Sequence, residues 1–266
     1  MQKNNSDVTG VFHQQKAKEN YQLRRYFPES AFSDLIEQFW FVNWDLPDNT
    51  CHCQKNLPDA NFHLIFDHNE LKLLGPVSKT YHYEMSAKGQ VLGVKFKLGT
   101  IHQRLNLCAS DCIDKEFNLQ KTLMLDTNKA SCLLSNASTD SEYVEILQQL
   151  VSPLVTKPSK QLLFVWEAIE IIKTQTDVYK VEQLSERLNV SIRTIQRAFQ
   201  LYVGLSPKWL IRKYRLHQLL KELDINPDSI SHLIDTLGYT DQAHLIKDFK
   251  NMLGLTLKKY KQLKES

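Results

Sequence analysis

Arg193, Gln196 and Arg197 stand at i, i+3, i+4 spacing, so on a helix they point the same way. Ser191, Thr194 and Gln200 surround them, and every one of these side chains makes hydrogen bonds. Arginine pairs bidentately with guanine and glutamine with adenine in the major groove of duplex DNA, which is wide enough to admit a helix. The competing reading is a solvated polar face, the commonest fate of such a surface.

The other reactive residue types carry less. Cys51-His52-Cys53, with His63 and His68 downstream, offers thiolates and imidazoles to a metal. The Cys-x-Cys spacing is tight for a structural zinc site, and no second cysteine pair completes it, so no metal site is expected. Cys108 and Cys112 are four apart without a nearby acid, base or histidine, and read as core. Asp59, His63 and Asp67 are evenly spaced, yet no general acid–base pair or activated nucleophile stands out. Leu71 to Pro76 is too short for a glycine-rich phosphate loop. No catalytic residue and no cofactor is therefore expected, and the chain is not read as an enzyme. Phe39, Trp40, Phe41 and Trp44 offer stacking to a ligand, but side chains of this kind are more often core.

The elements that must position these residues change character along the chain. Residues 21–125 hold short apolar runs broken by turn formers: Phe39 to Val42, Phe62 to Phe66, Leu71 to Leu74 and Val91 to Leu98. Leu46 to Asn49, Asp67 to Glu70 and Gly75-Pro76 read as turns. This is a β-rich pattern. Residues 1–20 are read as a flexible N-terminus. Residues 126–160 read as a connector with one helix, Glu142 to Val151, where the small polar stretch Ser131 to Ser141 and two prolines interrupt any other. From residue 161 onward the period becomes 3.6, as in the stripe Leu162, Val165, Trp166, Ile169 and Ile172. The expected class is α+β: a β-rich N-terminal domain, then an all-α domain over 161–266.

That helical region repeats itself. Val181, Leu184 and Leu188 recur as Ile230, Leu233 and Leu237, and Ile195, Phe199 and Gly204 recur as Leu245, Phe249 and Gly254. Each copy is a helix, a tight turn and a second helix: Val181–Leu188, then Ser191–Gln200 in the first. Ser191 is a good N-cap, and Asp228 or Ser229 and Thr240 or Asp241 can cap the helices of the second copy.

Composition bounds the partners. Of 266 residues, 42% are hydrophobic and 24% charged, which excludes a disordered chain and supports sizeable cores. No run approaches the ~18 apolar residues of a membrane helix, and the first ten residues lack the apolar core of a secretory signal. With five cysteines and no signal, a reduced, cytoplasmic setting is the simplest expectation, with no membrane partner. Residues 1–160 carry 17 basic and 18 acidic side chains, and residues 161–266 carry 16 and 12, so the basic excess lies in the helical part.

Ser191 to Phe199, Gly204 to Pro207 and Tyr214-Arg215-Leu216 resemble the DNA-binding domain of the AraC/XylS family of bacterial transcription regulators. So do Leu237 to Gln242, Phe249-Lys250 and Gly254-Leu255-Thr256. The resemblance spans about 162–262. It implies two helix-turn-helix units joined by a helix over about Pro207–Leu223, each laying one helix in successive major-groove segments of double-stranded DNA. Carried over by position, the first reading helix uses Ser191, Arg193, Thr194, Gln196, Arg197 and Gln200. The second uses Thr240, Gln242, Ala243, His244 and Lys247, with Ile246 nearby. Ile234 stands where the family usually has alanine, Leu257 replaces a proline, and Ala243 and Ile246 make the second face less polar. The second unit is therefore expected to contribute phosphate contacts and shape readout more than base reading.

Phe39 to Phe41, Leu57 to Asp59, Leu64 to Phe66, Gly75-Pro76 and Gly93 to Phe96 resemble an uncharacterised β-rich domain that precedes this module in some family members. There the resemblance implies a small-molecule effector or dimerisation role, and nucleoid association when DNA is bound. RNA polymerase and a second copy of the chain are the remaining partners it opens. The alternative from another class is a metal- or thiol-dependent enzyme or small-molecule binder whose helical C-terminal region docks a protein partner.

Overall fold

A computed structural model describes residues 20–175, 177–225 and 230–265. The N-terminal stretch read as flexible lies, but for Asn20, outside them, as does the Asp228 or Ser229 cap. Eight strands come first: β1 (Gln22–Tyr26), β2 (Ile36–Asp45), β3 (Cys51–Asn56), β4 (His63–Asp67), β5 (Glu70–Leu74), β6 (Tyr81–Ser86), β7 (Lys88–Phe96) and β8 (Glu116–Phe117). Six form an antiparallel sheet in the order β1-β2-β7-β4-β5-β8, and β3 pairs with β6 as a separate two-stranded ribbon.

Alternation along these strands divides the side chains between two faces. Tyr26, Phe39, Phe41, Leu64, Phe66, Leu73, Leu92, Val94 and Phe96 point to one core. That core is closed by α1 (His102–Leu105), α2 (Leu119–Leu123), α3 (Thr127–Asn136) and α4 (Asp140–Val151). Helix α3 runs through the polar stretch expected to be a break. Asp126 caps it by accepting from the Lys129 amide, and Ala130 and Leu134, four apart, bury its one apolar edge. Helix α4 begins two residues before the expected start. Thr139 and Glu142 close a capping box there, and Asp140 takes a bidentate ion pair from Arg24 of β1 at 2.6 and 2.8 Å.

The opposite sheet face carries Leu23, Trp40, Val42, Ile65 and Val91, and the β3–β6 ribbon covers it with Tyr83 and Met85. Two glycines of β7 make room for indoles here. A Cβ on Gly93 would sit 2.8 Å from Trp40 and 2.5 Å from the Leu64 carbonyl oxygen, and one on Gly89 would sit 2.3 Å from Trp44. Of the four aromatics considered for stacking, Phe39 and Phe41 are core, Trp44 donates to the Ser86 carbonyl at 3.1 Å, and Trp40 alone lines open space.

Seven more helices follow among the described residues: α5 (Lys160–Thr174), α6 (Val181–Leu188), α7 (Ile192–Tyr202), α8 (Pro207–Ile225), α9 (Ile230–Thr236), α10 (Gln242–Leu253) and α11 (Leu257–Glu265). The β-rich half followed by this helical half is the expected α+β class. The repeat holds residue by residue. Asn189 and Gly238 are both left-handed, at φ 51° and 65°, where the first helix of each pair ends. Ser191 and Asp241 cap the second helices by accepting from Thr194 and His244 amides. Gly204 and Gly254 are left-handed after them, and Ser206 and Thr256 cap α8 and α11. Each unit has its own core: Leu184, Ile195, Phe199 and Leu210 in the first, Leu233, Leu245, Phe249 and Leu219 in the second. Helix α8 contributes to both.

The two halves share these cores. Ala60 and Leu98 lie in the first unit's core and Leu57 in the second's. Trp166 of α5 donates to the Leu98 carbonyl at 2.7 Å, beneath the Lys97 ammonium 3.7 Å from its ring. Gly204 faces the Ala109 carbonyl so closely that a Cβ there would lie 2.6 Å from the oxygen.

Candidate functional site

On α7, Ile195 and Phe199 are fully buried against α5 and α6, which fixes the helix's rotation. The face left over is solvent-exposed at Ser191, Arg193, Thr194, Gln196, Arg197 and Gln200. Ser191 spends its hydroxyl on the cap and on Thr194 Oγ1 at 2.9 Å, so these two shape the N-terminus of α7. The α6–α7 turn is held by Ser185 Oγ, which donates to the Val190 carbonyl. The N-terminal half reaches the far end of α7 and leaves the Arg193-Gln196-Arg197 trio open.

On α10, Leu245 and Phe249 occupy the positions of Ile195 and Phe199, and Thr240, Gln242, Ala243, His244, Ile246 and Lys247 are exposed. His244 Nδ1 lies 3.0 Å from Thr240 Oγ1, and its ring sits edge-on against Tyr239. Ile234 is half-buried and packs into the second core.

Sequence reading missed the polar clamps behind these faces. The Arg215 guanidinium of α8 lies 4.0 Å from the Tyr239 ring and 5.5 Å from the Tyr179 ring, spanning both units. Tyr179 in turn donates to the Thr236 carbonyl at 2.8 Å and lies on Gly238. Arg212, one turn earlier, pairs with Asp248 of α10 at 2.5 Å. A charged residue on the inner side of an amphipathic helix was the available signal.

The second feature is a cavity of about 330 Å³ between the sheet and the β3–β6 ribbon, at the small end of the ~300–1,000 Å³ usual for ligand pockets. Trp40, Val42, Ile65, Val91 and Met85 give it apolar walls, and Tyr21, Tyr81 and Tyr83 add hydroxyls. Asp59, His63 and Asp67, evenly spaced in sequence, all reach it, as does Lys95. Asp59 is the hub: its Oδ2 lies 3.0 Å from Lys95 and 3.4 Å from His63, and its Oδ1 2.6 Å from Lys213 of α8. Lys95 also pairs with Glu37 at 3.2 Å. Burial alone would raise the Asp59 carboxyl, but the Lys213 and Lys95 ammoniums more than offset it and hold it well below the usual range. Burial works against Lys95 too, yet Asp59 and Glu37 raise it. For Lys213 burial wins, and its ammonium is lowered despite Asp59, with Lys95 adding repulsion.

Cys51 and Cys53 lie exposed on β3, Cys112 is buried in a short 3-10 turn (Ala109–Cys112), and among the described residues no three of His, Cys, Asp and Glu gather as a metal site. No helix among them is long and apolar enough to cross a membrane.

Comparison with known proteins divides the chain in the same way. Residues 184–263 match the model of a helix-turn-helix domain, and residues 24–118 match a domain of unknown function, DUF6597. An uncharacterized HTH-type transcriptional regulator of Haemophilus influenzae is 30% identical over 94 residues, 35% of this chain and 32% of that protein. The HTH-type transcriptional activator RhaS of Escherichia fergusonii is 26% identical over 81 residues, 30% of this chain and 29% of that protein. The matched stretches thus span about a third of the length of these relatives. Among solved structures, ToxT from Vibrio cholerae O395 aligns over 91% of this chain and 97% of its own, at 11% identity and a TM-score of 0.37. The relatives are named as transcription regulators, not as enzymes. The C-terminal region of this chain is a helix-turn-helix domain of the AraC type, carried behind an N-terminal DUF6597 domain.

Proposed function

We propose that the chain is a cytoplasmic, sequence-specific DNA-binding transcription regulator that lays α7 and α10 in successive major-groove segments. The observation that carries this is the exposed trio Arg193, Gln196 and Arg197 on a rigidly capped helix whose other side is core, with a counterpart 50 residues on. Arg193, Gln196 and Arg197 read base edges. Lys247 and Gln242 on α10 hold phosphates, and Ala243 and Ile246 leave that face to shape readout. Ser191, Thr194, Thr240 and His244 orient the two N-termini, and Gln200 extends the exposed face of α7 toward its far end. RNA polymerase and a second copy of the chain are the protein partners this role admits.

The test is selection of duplexes from a random library by the full chain, followed by anisotropy titration. A shared motif of two half-sites about one helical turn apart (~34 Å) is expected. Recovery of unrelated sequences would sink the reading.

We also infer that the cavity takes a small, mainly apolar effector with a polar head. Its apolar walls, with the Asp59–Lys95 ion pair set among them, favour that chemistry.

A further inference from the structure

Asp59 belongs to two structures at once. Its backbone is pinned by reciprocal hydrogen bonds with Val77, at 3.0 and 2.7 Å, so the carboxylate stands on a fixed support. It lines the cavity together with Lys95 and His63, while one of its oxygens grips Lys213 on α8. Helix α8 contributes Leu210 and Ile211 to the first unit's core and Leu216, Leu219 and Leu223 to the second's. A pull on Lys213 is thus felt by both units.

The group of Asp59, Glu37, Lys95 and Lys213 balances two carboxylates against two ammoniums, largely out of water. Buried charges of this kind tolerate no change of partner without a change elsewhere. Lys95 is held by two carboxylates and Lys213 by one. The single-held ammonium, on the element that spans both units, is the member that yields.

We propose that occupancy of the cavity is relayed to the DNA-binding half through Asp59: a polar head engaging the Asp59–Lys95 pair loosens Lys213 and frees α8. The proposal rests on the reading of the cavity as a ligand site. Differential contact of an occupant with held and released states is what such coupling requires.

Hydrogen exchange of the full chain, with and without the dye anilinonaphthalene sulfonate, tests it without need of DNA. The dye is an apolar ring system with a charged head. Expected are slower exchange in β4 and β7 and several-fold faster exchange in α8 around Lys213. Lys213→Met, which replaces the ammonium by an apolar chain of similar length, should give the faster α8 exchange without dye and no further response to it. Protection of β4 and β7 with α8 unmoved in the wild-type chain would overturn the relay and leave the cavity reading standing. If no protection appears, or if Ile65→Trp, which fills the cavity, binds dye as before, the cavity reading falls and the relay with it.

Discussion

The Arg215 guanidinium lies close against Tyr239, at 4.0 Å from the ring centroid, and joins the linker helix to the turn of the second helix-turn-helix unit. Tyr179 takes the other contact from the first unit. Arginine suits this place because a planar, weakly hydrated cation stacks on rings, which a lysine ammonium does less well. Arg215→Lys should therefore cost about 1 kcal/mol of stability in chemical denaturation, the scale of a partly desolvated cation–π contact. An unchanged midpoint would show that apolar packing alone sets the angle between the units.

Arg193→Ala or Gln196→Ala should weaken binding to a selected duplex by about 1–3 kcal/mol and relax preference at one base pair. Lys247→Ala should instead weaken binding evenly across sequences and reduce the salt slope by about one. Anisotropy titrations over a range of salt concentrations separate the two behaviours, and equal losses for all three variants on every duplex would argue against division of labour between α7 and α10.

Gly93→Ala should perturb the cavity wall. The added carbon meets the Leu64 carbonyl at 2.5 Å and the Trp40 ring at 2.8 Å, and only the ring can move. Overpacking of this kind costs roughly 1–3 kcal/mol. A shift in tryptophan fluorescence together with a lowered melting temperature is expected; neither change would mean the strands separate freely at that point.

Acid should destabilise the fold before its carboxylates protonate. Burial lowers His102 to about 4, and burial aided by Lys213 lowers His217 to about 3. Both stay neutral in the folded chain where the unfolded chain, near the ordinary value of 6.5, takes up protons. A depressed histidine thus contributes full stability above pH 6.5 and loses it as the pH falls toward about 4 for His102. The loss for His102 amounts to up to about 3 kcal/mol. Denaturation midpoints measured across this window should fall in the wild-type chain and fall less in His102→Gln; parallel curves would exclude His102 as a source.

The repeat, the exposed polar faces of α7 and α10 and four of the eight strands were legible because each depends on local periodicity or capping. Ile195 and Phe199 at i, i+4, with Ser191 before them, define α7 without help from the rest of the chain. Strands β1, β3 and β6 were not legible, since Arg24, Arg25, Lys55 and His82 dilute their alternation. The helix over Thr127–Asn136 was hidden for a related reason, its apolar edge being only Ala130 and Leu134. The Asp59–Lys213 and Arg212–Asp248 pairs needed coordinates, because an ion pair between residues so far apart in the chain leaves no spacing to read.

Leu57, Ala60 and Leu98 reach from the β-rich half into the helical cores. Grafting the helical module onto a foreign N-terminal domain would therefore strip three apolar plugs from its underside. A bare fragment should aggregate or melt early, and successful chimaeras would have to carry the segment around residues 57–60 and Leu98 across the join. Exchange of parts between chains of this build is constrained at this seam, more than at any stretch of linking chain.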